Sequence, residues 1–112
     1  MAKKIIVVDG YIGSYAFSKQ FIRNELEGHS KNPVEVKISS LGGSVDHALN
    51  IYDQFIAHGN ITAELSAFVA SSATIISLGA KTVRMNENSF YLIHKAMIWV
   101  DEWGSMNEDE IE

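Results

Sequence analysis

The sequence predicts an α/β fold built on parallel crossovers and contained in one domain. Three observations carry that expectation. Strand-like and helix-like patterns alternate along the chain. The first strand-like stretch, Ile5-Ile6-Val7-Val8, is continuously apolar, which suits a strand buried in a parallel sheet. The chain of 112 residues holds a single proline, Pro33, and no repeat, linker or low-complexity stretch that would mark a boundary.

Each element follows from its own pattern. After the first strand, Phe17, Phe21, Ile22 and Leu26 fall at helical spacing with Lys19, Arg23 and Glu25 between them, and Gly28 is a stop for that helix. Val34, Val36 and Ile38 alternate with Glu35 and Lys37, the mark of a half-buried strand. Val45, Ala48, Leu49, Tyr52, Phe55 and Ile56 then keep one apolar face over three turns. Ser44 stands before them as a candidate N-cap, Asp46 favours the positive helix end, and Gly59 follows the last periodic residue. Ile61 to Phe68 reads as a strand, Ala70 to Leu78 as a buried helix, and Thr82 to Met85 as a short strand. The polar turn Asn86-Glu87-Asn88 leads into a last strand, Phe90 to Ile93. Ser105 and Glu108 have capping-box spacing and announce a helix from Met106. Only seven residues would remain for it, so the expectation is a chain truncated at the start of its C-terminal helix.

Composition narrows the function classes. Hydrophobic residues make up 46% and charged residues 21%, a globular profile. No apolar run approaches the roughly 18 residues of a membrane span, and four apolar residues after Met1-Ala2-Lys3-Lys4 are too few for a secretory signal. The expectation is a cytoplasmic protein with no membrane partner. The absence of cysteine excludes disulfides, thiolate metal sites and a cysteine nucleophile. A net charge of −5 without a basic cluster argues against nucleic acid as a partner.

Three segments could carry chemistry. Ser39-Ser40-Leu41-Gly42-Gly43-Ser44 lies between a strand and the best helix. Its glycines permit close backbone approach, and amides near a helix start can face a developing negative charge. The alternative is an ordinary strand-to-helix turn. Ala70-Ser71-Ser72-Ala73 sits at a second such junction, where a serine is either an N-cap or a nucleophile. His94 ends the last strand as either a structural residue or a general base near neutrality. His29, His47 and His58 have no partner motif and read as bystanders, and no metal motif is present.

The order and spacing of these segments resemble a known family. Lys37 to Val45, followed by Ala48 to Asp53, is similar to a strand, an N-S-P-G-G-x-V loop and an A-x-x-I-Y-D helix. Ala67-Phe68-Val69-Ala70-Ser71-Ser72-Ala73 resembles a G-x-A-A-S-x-A/G turn. Met85 to Ser89 through Ile93-His94 resembles an M-x-x-N-S/A…I-H strand. The family is the Clp protease proteolytic subunit, a serine peptidase with a ClpP/crotonase-like βαβ superhelix. The start, Val8-Asp9-Gly10-Tyr11-Ile12-Gly13, looks more like its phage relatives, the head maturation (prohead) proteases.

The resemblance implies a single peptidase domain over residues 1–112 that lacks the C-terminal part of the family domain. It places the nucleophile at Ser71, with Ser72 the fallback one residue on, and the general base at His94. The oxyanion hole falls to the amides of Gly43 and Ser72, and substrate backbone binding to Gly42, Ser44 and Val45. No cofactor or metal is implied. The implied partners are a polypeptide substrate, further copies in a homo-oligomeric ring, and either an ATPase ring or phage capsid and scaffold proteins. Leu41, Ser39 and Ala67 depart from the family's proline, asparagine and glycine. The family's third triad residue is an aspartate beyond the C-terminal helix, and neither Asp101, Glu102 nor Asp109 matches it. Two rival readings keep the fold. One is a catalytically incomplete structural subunit; the other is acyl-CoA chemistry on paired oxyanion amides.

Overall fold

The computed structural model describes residues 4–14, 17–92, 99–100 and 104–105. Five parallel strands form one sheet: β1 (Lys4–Val8), β2 (Val34–Ser40), β3 (Ile61–Ala70), β4 (Thr82–Met85) and β5 (Phe90–Leu92). The order is β1-β2-β3-β4, and β5 also pairs with β3. The ten-residue β3 serves two partners in succession: Thr62 to Leu65 face β4, and Phe68 to Ala70 face β5. Two further short strands, β6 (Trp99–Val100) and β7 (Gly104–Ser105), pair antiparallel.

Among the described residues three helices complete the crossovers: α1 (Lys19–Leu26), α2 (Val45–His58) and α3 (Ser72–Ser77). The core lies between the sheet and these helices. Ile6, Val8, Val36, Ile38, Ala63 and Leu65 from the strands meet Ile22, Ala48, Ile51, Phe55, Ala73 and Ile76 from the helices, all buried. The side chains between them in sequence, such as Ile5, Val7 and Lys37, point to the other face and are exposed. That alternation follows from the pleat, whose side-chain period is two.

The helix ends are built as their sequences require. Ser18 Oγ accepts the Phe21 amide at the start of α1, and Ser44 Oγ accepts the His47 amide at the start of α2. Gly59 ends α2 in the left-handed region, with φ 81° and its amide on the Phe55 carbonyl. Two of the histidines read as bystanders hold elements in place. His47 Nδ1 accepts the Lys19 amide at 3.0 Å, which supplies a partner for the first turn of α1. His58 Nδ1 accepts the Asn60 amide at 3.2 Å, so Nε2 carries the proton and donates to the His29 carbonyl at 2.8 Å.

Several boundaries differ from expectation. The helix expected from Ala70 begins at Ser72, because Ala70 is still strand and pairs with Leu92. The strand expected to end at Phe68 therefore runs on to Ala70, and β2 runs on to Ser40. Glu35, read as solvent-facing, is buried at 9% exposure, with Arg84 across the sheet 3.5 Å from its carboxylate. Ile93 and the helix expected from Met106 lie outside the described residues, while Ser105 closes the β6–β7 pair.

Candidate active site

The C-terminal ends of β1, β2 and β3 converge at one edge of the sheet, and the candidate residues gather there. At the end of β2, Ser40 turns its hydroxyl back to the Gly10 carbonyl at 2.7 Å and accepts the Gly42 amide at 3.0 Å. This bond shapes the loop before the glycines begin. Ile12 then pairs in parallel with Gly43: the Ile12 amide donates to the Gly42 carbonyl at 3.0 Å, and the Ser44 amide to the Ile12 carbonyl at 2.8 Å. A Cβ on Gly43 would sit 2.7 Å from the Ile12 nitrogen, so only glycine fits against this strand.

Gly42 faces the other way, onto the serine turn. Its φ is 112°, and an added Cβ would lie 2.7 Å from Ser71 Cβ and 3.1 Å from Ser71 Oγ. The glycine pair thus meets two close neighbours at once, Ile12 on one side and Ser71 on the other.

Ser71 joins β3 to α3 with φ 57° and ψ −130°, a conformation that side chains other than glycine rarely adopt. It occupies the cap position of α3, but its side chain makes no capping hydrogen bond, and the residue is partly exposed. The cap reading of Ser71 is therefore corrected. The turn is held instead by the Ser71 amide on the Leu92 carbonyl at 3.2 Å, and by Thr74, whose amide and Oγ1 both reach the Ser71 carbonyl, at 3.0 and 2.6 Å.

Ser72, the fallback nucleophile, is buried at 1% exposure, and its hydroxyl has no partner among the described residues. Its amide begins α3 and, like the Gly43 amide, donates to no acceptor among the described residues. The backbone groups of Gly42 and Ser44 are already engaged: Gly42 with Ser40 and Ile12, Ser44 with Ile12 and the Ala48 amide. On this strand edge the alternation of a parallel ladder leaves the groups of Gly43 facing outward. Val45 starts α2 and is 40% exposed. His94 lies outside the described residues, as do Asp101, Glu102 and Asp109.

Sequence reasoning missed two features of this edge. A cavity of about 460 Å³ opens beside Gly42, lined by Asp9, Gly10, Tyr11, Ser39, Ser40, Leu41, Ala67 and Phe68. Its far wall exists because Ala67 takes φ 54°, where the ladder between β2 and β3 shifts register and turns Phe68 outward. Phe68 then stacks on Phe90, ring centroids 5.2 Å apart. Ala67, standing where a glycine was expected, was the one local signal. Among the described residues no group of three or more histidine or acidic side chains could hold a metal, and no helix is long and apolar enough to cross a membrane.

The architecture is a parallel α/β sheet whose third strand ends in a strained serine turn beneath a glycine pair, and the same fold occurs in solved ClpP structures. The fold matches ClpP1 from Listeria monocytogenes with a TM-score of 0.72 at 21% identity, over 96% of this chain and 62% of that one. A point mutant of the same protein matches with a TM-score of 0.74 at 23% identity, over 83% and 57%. The Clp protease family model matches residues 3–110, and the chain belongs to that family. It spans about three-fifths of the length of the ClpP1 chains it resembles. No match is found among curated proteins.

Proposed function

We propose that this chain is a serine-type endopeptidase that cleaves peptide bonds through an acyl-serine intermediate. The observation that carries the reading is the Ser71 turn: a partly exposed serine in a sparsely populated backbone conformation, packed directly against Gly42. Such strain clusters at reactive sites because the surrounding structure must maintain it.

In this mechanism Ser71 Oγ attacks the scissile carbonyl while His94 takes the hydroxyl proton. The carbonyl oxygen becomes an oxyanion and receives the amides of Gly43 and Ser72, two donors with no competing acceptor among the described residues. One donor of this kind typically lowers the barrier by about 3 kcal/mol. His94 then returns the proton to the leaving amine, and water releases the acyl group by the same route in reverse. Gly42, Ser44 and Val45 border the substrate strand, with the outward carbonyl of Gly43 as its ladder partner. Backbone pairing of this type recognises many sequences, because the main chain supplies most of the contacts.

In this reading residues 1–112 are one peptidase domain acting on polypeptide in the cytoplasm. Family membership supports assembly with further copies into a ring. An ATPase ring, or the capsid and scaffold proteins of a phage head, would be the source of substrate.

Intact-mass analysis after treatment with a fluorophosphonate tests the proposal. Ser71 Oγ displaces fluoride from phosphorus and its proton leaves with the fluoride, so the expected product is one phosphonyl adduct, absent from Ser71→Ala. A folded parent without adduct would sink the assignment and favour a structural subunit of the same fold, whereas an adduct that survives Ser71→Ala would move the nucleophile away from Ser71, with Ser72 the next to test.

A further inference from the structure

Among the described residues the paired positions of β3 and β5 run to Ala70 and Leu92, and Ser71 follows directly on them. Its amide donates to the Leu92 carbonyl at 3.2 Å, and its carbonyl accepts Thr74 Oγ1 at 2.6 Å. The second contact leads back to β5 by a side-chain route. Ser77, fully buried, donates its hydroxyl proton to the Thr74 carbonyl at 2.7 Å. A serine has one proton to donate, so the short 2.7 Å contact between Ser77 Oγ and Tyr91 Oη uses the tyrosine's proton. Tyr91 Oη also lies 3.2 Å from the Thr74 carbonyl, and its hydroxyl is shared between the two acceptors. Tyr91 and Leu92 are consecutive in β5. Ser71 is therefore gripped at both its amide and its carbonyl, and both grips end on the same strand.

We propose that Tyr91 is a positioning residue for Ser71. Its hydroxyl fixes the turn of α3 through Ser77 and Thr74, and so maintains the backbone conformation that aims Ser71 Oγ outward and the Ser72 amide toward the same point. The inference rests on the reading of Ser71 as the nucleophile. Its structural half, the grip on the turn, can be measured without that reading. The phenol ring belongs to the core packing and the hydroxyl to the grip, which separates the two roles chemically.

Tyr91→Phe removes the hydroxyl and keeps the ring. Two readouts are needed on the full chain: hydrogen exchange at the Ser71 amide by NMR, and the concentration dependence of fluorophosphonate labelling. The expected result is exchange at Ser71 faster by about tenfold, the scale of one lost hydrogen bond, with the β2 amides unchanged. The maximal labelling rate should fall by about the same factor, while the probe concentration giving half that rate moves less than twofold. A merely structural loss would speed exchange throughout the core and would either lower the maximal rate and raise the half-saturating concentration together or change neither. Unchanged exchange at Ser71, or faster exchange with an unaltered maximal rate, would overturn the proposal. If the parent takes no label at Ser71 but Tyr91→Phe still speeds exchange there alone, the grip stands and the nucleophile reading is what fails.

Discussion

Ser71 and Ala67 both sit at positive φ without being glycine, 57° and 54°. At Ala67 the strain serves the register shift, and a glycine would satisfy the same backbone without the Cβ penalty of about 1–2 kcal/mol. Part of that gain is returned as extra freedom of the unfolded chain. Ala67→Gly should therefore raise stability by about 0.5–1 kcal/mol, read as a higher urea midpoint at constant slope. Gly42 shows the reverse. An alanine there would bring its Cβ to 2.7 Å from Ser71 Cβ at a φ of 112°. Gly42→Ala should lose at least about 1–2 kcal/mol from backbone strain alone. It should also suppress labelling of Ser71, because relief of the clash requires the serine turn to move. Labelling at the parental rate would show that the turn is not set by this contact.

Among the elements, α2 agrees with its sequence at both ends, although of the apolar face read for it Leu49 and Ile56 are exposed and Ile51 is buried instead. Ser44 caps it, Asp46 lies in its first turn, and Gly59 closes it. Ser44→Ala should cost about 1 kcal/mol, the usual value for a lost cap. The thermal midpoint will measure it; no change would mean that the pairing of the Ser44 amide with Ile12 suffices to start the helix. The opposite case is α3. Six residues cannot make a stable helix by propensity. It exists because Ala73 and Ile76 are buried in the core and because Thr74, Ser77 and Tyr91 bond it to β5. Its start moved from the expected Ala70 to Ser72 for the same reason. Strand pairing with Leu92 satisfies the backbone at Ala70, and a local apolar run cannot tell a buried helix from a buried strand.

At the scale of the molecule, stability is concentrated in β2 and β3. These central strands carry Val34, Val36, Ile38, Ile61, Ala63 and Leu65, all buried at 1% exposure or less, whereas every residue of β4 is exposed. Hydrogen exchange followed by mass spectrometry should find the slowest amides in β2 and in the Ile61–Leu65 half of β3. Those in β4 should exchange by local opening, orders of magnitude sooner. Equal protection of β4 and β2 would mean that the sheet opens as one unit. The candidate site straddles this gradient. Its glycine loop extends from the protected β2, while the Ser71 amide depends on the three-residue β5 for its hydrogen bond.

Much of this was legible in the residues alone. The alternation of strand and helix, the cap and stop of α2, the glycine pair and the serine turn are local signals, set by side-chain periodicity and by backbone conformations open to few residue types. Their order also sufficed to place the chain in its family, since three motifs at matching separations are a linear property. Tertiary structure alone decided the rest. Alternation placed Glu35 in solvent, and only the approach of β4 brings Arg84 over it. Serine at a helix start reads as a cap, and only the closeness of Gly42 with the hold of Leu92 and Thr74 makes Ser71 a strained turn. Ala67 and Phe68 read as ordinary strand, and the register shift between β2 and β3 turned them into the wall of a cavity. In each case the deciding partner lies far away in sequence, and a one-dimensional pattern carries no information about which distant groups will meet.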